Sequence, residues 1–287
     1  MDYLDAALCG VIEGLTEFLP VSSTAHLRIV KPLLGIRLDD PYWKMFDVVI
    51  QLGAVLCLPV YFRAKIARML RSFPGGQVGQ RTMFTHPLTL VLLASICTIV
   101  PTYLLKHVVS ENMESLKVMG AALVIGGAIM WAADALFVAP TTQDFEQVSP
   151  LQAVWIGLLQ TTAAIFPGTS RSMATIAAGQ SAGLSRSAAL EFSFFLSIPT
   201  MIAATGYDLL NAISGSHAPP STNPSAIDMN AHAWAVLVVG FVVSFAISLG
   251  VVAWFMHWVR RHGFVPFAIY RIVLGLAVLI WVRRGAA

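Results

Sequence analysis

The feature that most constrains this chain is a set of apolar runs near residues 45–62, 87–106, 116–138, 188–211, 232–258 and 264–283. Each is long enough to cross the roughly 30 Å hydrocarbon core of a bilayer. Inside lipid a backbone satisfies its own N–H and C=O groups only as helices or as a closed barrel, and continuous runs of this length predict helices. Composition agrees, since 57% of the 287 residues are hydrophobic and 11% are charged, against about 25% charged in soluble domains. Mean hydropathy is +0.74. The expectation is an all-α polytopic membrane protein with six spans, its main surroundings the lipid bilayer.

The start, MDYLDAALCG, has neither the basic stretch nor the small-residue cleavage site of a signal peptide, so it reads as mature sequence. Cys9, Cys57 and Cys97 lie in apolar segments without CxxC spacing and predict core residues, neither a disulfide framework nor a zinc site. The net charge of +3 is spread over loops, and without a basic tract no nucleic acid partner is expected.

Two further apolar segments are too short to cross. Residues 4–19 number sixteen and rise only about 24 Å as a helix, and Pro20 stops them. Ser22, Ser23 and Thr24 follow as N-cap candidates, and a second short stretch ends around Pro32 and Gly35. This is the pattern of a re-entrant hairpin, which needs protein or a water-filled cavity around it. The layout recurs 147 residues later, where GVIEGLTEFLPVSSTAHL overlays GLLQTTAAIFPGTSRSMA: Gly10 falls on Gly157, Pro20 on Pro167 and Ser23 on Ser170. The run from Phe46 similarly overlays that from Phe192.

One membrane domain, 1–287, is therefore expected, with a first repeat over about 1–140 and a second over about 150–287. Each would hold one hairpin plus three spans, an odd number of crossings, so the second half enters upside down as an inverted-topology repeat. Arg63, Lys65, Arg68, Arg71 and Arg81 share one side of this topology with Arg260 and Arg261, which the positive-inside rule makes cytoplasmic. Loop 212–231, both termini and the first hairpin fall opposite, although Arg28, Lys31, Arg37 and Lys44 fall there too.

Glu13 and Glu17 are four residues apart and share one helix face. A charge at the centre of a membrane helix costs about 2.5–3.5 kcal/mol, so the pair needs compensation by a shared proton, an arginine or a divalent cation. The hydroxyls of Ser22, Ser23 and Thr24 cluster at a helix N-terminus, an anion-binding position. His26 follows in the first turn, where it can take a hydroxyl proton or attack phosphorus itself. The second hairpin, PGTSRSMAT, supplies Gly168 for close backbone approach, hydroxyls at Thr169, Ser170, Ser172 and Thr175, and Arg171, whose fork suits phosphate. Arg171 can also meet Glu13 or Glu17. Under the overlay Gln160, Ala164 and Met173 replace Glu13, Glu17 and His26.

Asp47, Gln51 and Glu191 could line the same cavity or serve packing. Asp134, Asp208 and Arg271 read as topology anchors or an internal ion pair, and His86, His107, His217, His232, His257 and His262 as mostly interfacial.

EGLTEFLPVSSTAH and PGTSRSMAT closely resemble the two signature segments of the undecaprenyl-diphosphate phosphatase family, also called the bacitracin-resistance family, and the likeness extends through FDVVIQLGA and EFSFFLSIP. The resemblance implies hydrolysis of undecaprenyl diphosphate to the monophosphate carrier of peptidoglycan synthesis in the bacterial inner membrane, with a divalent cation (Mg²⁺ or Ca²⁺) and a site open to the periplasm. It gives Glu13 and Glu17 as the acidic pair, Ser23 and His26 as nucleophile and base candidates, and Arg171 as the phosphate-binding arginine. Ala25 and Met173 stand where many members have glycine. Ser23 assisted by His26 would attack the terminal phosphorus, or His26 would attack directly. The cation would sit on Glu13 and Glu17, with Ser22, Thr24 and the second-hairpin hydroxyls holding the polyprenyl diphosphate. A transporter or flippase of an anionic polyprenyl lipid is the alternative, and a homodimer stays open.

Overall fold

A computed structural model describes residues 3–75, 82–105, 107–108, 115–214 and 230–284, with side chains in the ninth helix to residue 207. Arg81, the side chain of Asp208, His217 and most of loop 212–231 lie outside the described residues. The secondary structure there is eleven α-helices with two single 3₁₀ turns, and no strand is formed among the described residues. The first hairpin is α1 (Tyr3–Thr16) and α2 (Ser23–Leu33), followed by α3 (Pro41–Tyr61), α4 (Arg63–Ser72), α5 (Pro87–Leu104) and α6 (Leu116–Leu136). The second hairpin is α7 (Pro150–Ile165) and α8 (Arg171–Ser181), followed by α9 (Arg186–Ser214), α10 (Ala231–His262) and α11 (Val265–Arg283).

Six helices, α3, α5, α6, α9, α10 and α11, are long and apolar enough to cross a membrane, the six expected from hydropathy. Their starts are written locally. Asp40, Ser115, Ser149 and Asn230 cap α3, α6, α7 and α10 with side-chain oxygens, and Pro41 and Pro87 open α3 and α5, where a missing N–H costs nothing. Helix α1 ends at Thr16, before Pro20, so Glu17 stands in the turn and not in regular helix.

Packing interleaves the two halves of the chain. Helix α1 lies on α10 while α7 lies on α5; α6 packs along α11, and α3 along both α9 and α10. Small residues make these approaches close, as in other membrane helix pairs. A Cβ on Gly10 would come 2.7 Å from the Gly240 carbonyl oxygen, and one on Gly157 would strike the Ala94 carbonyl. Both hairpin tips turn through a left-handed serine, Ser22 at φ 74° and Ser170 at φ 68°, and both second arms end in a left-handed glycine, Gly35 and Gly183. These landmarks are 148 residues apart, not 147. The ungapped overlay holds through Pro20 and Pro167, after which the second tip carries one extra residue. By backbone, Ser22 therefore matches Ser170 and Ser23 matches Arg171, correcting the pairing of Ser23 with Ser170.

Asp47 pairs with the buried Lys31 at 2.6 Å, and Glu191 with Lys65 at 2.6 Å, so both serve ion pairs. Asp134 forms an internal ion pair, but with Arg186 at 2.5 Å and not with Arg271. His86 corrects the expectation of interfacial histidines: it is 1% exposed, accepts from the Leu88 backbone N–H at the start of α5 and bonds Ser72 at 3.1 Å. Cys9 and Cys57 are buried and all three cysteines are free.

Candidate active site

The two hairpin tips meet at Glu17. Ser23 Oγ donates to Glu17 Oε2 at 2.6 Å, and Arg171 Nη2 donates to Glu17 Oε1 as an ion pair. Ser23 and Arg171 are the residues directly after the two left-handed caps, Ser22 and Ser170. Such φ values cost a non-glycine residue on the order of 1–3 kcal/mol and persist where surrounding structure enforces them. Here the caps begin α2 and α8 abruptly, so that each tip presents its next side chain to the same carboxylate. The cap hydroxyls accept from Ala25 N–H and Met173 N–H, both at 3.4 Å.

Glu13, one turn earlier on α1, is fully buried, and among the described residues neither of its carboxylate oxygens has a hydrogen-bond partner. Glu17, Asp47 and Arg171 are the charged groups acting on it. Of the two acids, then, Glu17 receives the arginine and Glu13 is left uncompensated, the situation that calls for a proton or a cation.

The remaining expected residues divide by position. Ser172 Oγ donates to the Leu19 carbonyl at 3.1 Å and sits 3.1 Å from Ser170 Oγ, joining the tips. Gly168, at φ 95°, lies so close to α6 that a Cβ would be 2.6 Å from the Met119 carbonyl. Thr169 is buried beside it, and Thr24 is half-buried at the first turn of α2. Thr175 donates within α8 and contacts Ser193 of α9 at 2.6 Å. His26 is not brought to Ser23. Its Nδ1 lies 2.7 Å from the Ser22 carbonyl and so carries the proton, leaving Nε2 of the neutral ring to accept from the Tyr270 hydroxyl at 2.6 Å. The two rings stack with 5° between planes.

Sequence reasoning missed Tyr270, an aromatic among many in the spans, and misjudged Arg271. That arginine is fully buried and, among the described residues, has no acidic partner. Its Nη1 donates to the Pro20 carbonyl at 3.1 Å and its Nη2 to those of Gly168 (3.0 Å), Thr169 (2.9 Å) and Ala122 (3.3 Å). One side chain of α11 thus holds carbonyls just ahead of both caps. Met173 is accommodated as well, because a Cβ on Gly126 would strike both Met173 Cε (2.7 Å) and the Arg271 guanidinium (2.5 Å).

Six apolar spans, and two non-spanning hairpins that bring an acid, a hydroxyl and an arginine together, define a multi-pass membrane protein with a buried cluster of acid, hydroxyl and arginine. The particular kind follows from comparison: the family model described as "Bacitracin resistance protein BacA" matches residues 6–277, and the chain belongs to that family. It is similar to the undecaprenyl-diphosphatase of Koribacter versatilis (strain Ellin345), at 57% identity over 283 residues, 98% of this chain and 99% of the relative. It is also similar to the undecaprenyl-diphosphatase of Caldanaerobacter subterraneus subsp. tengcongensis, at 37% over 282 residues (98% and 96%). A third similar relative is the undecaprenyl-diphosphatase of Thermus thermophilus, at 38% over 289 residues (98% and 97%).

Proposed function

We propose that this protein is an integral membrane phosphatase that hydrolyses undecaprenyl diphosphate to undecaprenyl phosphate and inorganic phosphate. The observation that carries the reading is the shared carboxylate: Glu17 accepts from Ser23 on one oxygen and from Arg171 on the other. A hydroxyl, a base in hydrogen-bond reach of it and an anion-binding fork are the parts an activated nucleophile needs.

In this mechanism the terminal phosphate lies between the two tips, against Arg171 and the N-termini of α2 and α8, whose free N–H groups and dipoles favour anions. Ser22, Thr24, Gly168, Thr169, Ser170 and Ser172 form the rest of that cradle, while the polyprenyl tail stays along the apolar spans. Ser23 Oγ attacks the terminal phosphorus as its proton passes to Glu17 Oε2, and the bond to the lipid monophosphate breaks. The Glu17 carboxylate takes the role of base that His26 was expected to fill, because it is the group bonded to Ser23. His26, bonded to Ser22 and Tyr270, orients the start of α2.

The residues present fit a divalent cation in one respect. No group of three or more His, Cys, Asp or Glu able to hold a metal exists among the described residues, but Glu13 offers two buried, unpartnered carboxylate oxygens next to the place where diphosphate oxygens would lie. Magnesium commonly takes one or two carboxylates and completes its shell with phosphate and water. Glu13, with Glu17, would hold it, and it would neutralise charge on the diphosphate.

The two halves form an inverted-topology repeat, supported by their reciprocal packing: each hairpin's first arm lies on the second span of the other half, and the paired left-handed caps face a common point. The arginines of α4 and of the α10–α11 turn lie on the cytoplasmic side of the bacterial inner membrane, and the first hairpin enters from the periplasm. A single cysteine replacing the exposed Asp39 should then be labelled by an impermeant thiol reagent in intact cells, and one at Arg68 protected. The reverse pattern inverts the topology.

The deciding assay is phosphate release from polyprenyl diphosphate by purified protein, with Glu17→Ala and Arg171→Ala for comparison. Wild-type activity lost in both variants is expected. An inactive wild type would favour a carrier of anionic polyprenyl lipids.

A further inference from the structure

Against the Glu17–Arg171 pair lies a small cavity of about 10 Å³. That is about the space required by the centre of one water molecule. Its polar wall is Glu17, Arg171, Ser172 and three residues from outside both signature segments: Gln160 of α7, and Ser193 and Ser197 of α9. Phe18 and Phe194, packed edge to face at 5.2 Å, close its apolar side.

The groups around this cavity are left with hydrogen-bonding capacity to spare. Gln160 is 3% exposed, and its carboxamide makes no hydrogen bond to another described residue. Arg171 Nη1 is buried and has no partner among the described residues, since Nη2 is the nitrogen that meets Glu17. Ser197 Oγ donates to the Phe194 carbonyl at 2.7 Å, so its lone pairs can still accept. Two donors (Arg171 Nη1 and the Gln160 NH₂) and several acceptors (the Gln160 carbonyl, Ser197 Oγ and Glu17) match the valence of a water, which needs roughly 2–4 polar partners in such a cavity. Gln160 also occupies the place that Glu13 has in the first half. A carboxylate there suits a cation, whereas a neutral amide that both donates and accepts suits a water.

We propose that Gln160, with Ser197 and Arg171 Nη1, orients the water that hydrolyses the phosphorylated enzyme. The proposal rests on the phosphatase reading with Ser23 as acceptor. After the first step Glu17 returns its proton to the departing lipid phosphate and becomes a carboxylate again. The water oxygen, aimed by the Gln160 carbonyl, attacks the phosphorus on Ser23. One water proton stays on the released phosphate and the other passes through Glu17 to Ser23 Oγ as the Oγ–P bond breaks. Nucleophile and water thus share one carboxylate, and the second half of the chain supplies the second step.

The experiment is an acid quench of purified protein turning over polyprenyl diphosphate labelled with ³²P in the terminal phosphate. Wild type should show little protein-bound label in the steady state. Gln160→Leu should slow turnover on the order of 10²-fold, the scale of a misplaced reacting group, while label accumulates on the protein in a rapid burst, and Ser23→Ala in the same background should abolish the burst. Ser197→Ala should shift both readings the same way by less, and serves if Gln160→Leu does not fold. Slower turnover without accumulated label in a variant of native melting temperature overturns the proposal, because the first step would then be the one impaired. Unchanged turnover, or label that maps elsewhere than Ser23, overturns it too. A wild type that releases no phosphate is a different result, since it refutes the phosphatase reading itself.

Discussion

At the scale of single residues the site turns on the difference between two glutamates four positions apart. Glu13 lies inside α1 and Glu17 just past its end, so only Glu17 stands where both hairpin tips reach. Replacing Glu17 by Gln should lower phosphate release by about 10²–10⁴-fold, the usual worth of a positioned acid–base group, measured as kcat at saturating substrate. Arg171→Lys should fail to restore an Arg171→Ala enzyme, because an ammonium lacks the planar fork that can bond Glu17 and the phosphate together. His26 and Tyr270 bond each other and not Ser23. His26→Gln and Tyr270→Phe should therefore each cost less than Ser23→Ala, and a double-mutant cycle should show them strongly non-additive. Additive losses would mean that His26 acts independently of Tyr270.

At the scale of elements, the tips and the hairpin arms are specified differently. The tips depend on serines at positive φ, a conformation that costs any residue with a Cβ. Ser170→Gly relieves that strain while removing the cap and should change stability by only a few tenths of a kcal/mol, whereas Ser170→Ala keeps the strain, loses the cap and should cost about 1 kcal/mol or more. Thermal unfolding in detergent separates the two. The arms depend on close approach. Gly157→Ala places a methyl against the Ala94 carbonyl, and since both partners are backbone, neither can yield cheaply. A lowered melting temperature with reduced activity is expected, since α7 also carries Gln160. The existence of the hairpins was legible in the sequence, because a short apolar run stopped by proline and restarted by serines cannot be a span. The one-residue offset between the tips was not, since it depends on which serine takes the left-handed cap.

At the scale of the molecule, Arg271 unites what the chain separates. It binds carbonyls of Pro20, Gly168 and Thr169, 251, 103 and 102 positions away. Arg271→Lys keeps the charge but has no planar fork to span both tips, and Arg271→Met leaves the carbonyls unpaired at about 1–3 kcal/mol each. Both should lose activity, with the melting temperature lower for Met than for Lys. A fully active Arg271→Met would show that the tips hold their register without it.

The sequence alone determined the surroundings, the helical class, the six spans, the two hairpins and the chemical types at their tips. Transfer to lipid, the cost of a buried charge and the geometry of a cap are set by a residue and its near neighbours, and so can be read along the chain. The tertiary structure decided the pairing. Arg171 met Glu17 and not Glu13, His26 turned to Tyr270, Arg271 found carbonyls in place of an acid, and Gln160 faced a cavity. Each of these joins segments more than a hundred positions apart or faces a space enclosed by them. Which side chains meet there depends on where the helices cross and how closely their glycines let them approach, and no local pattern records that.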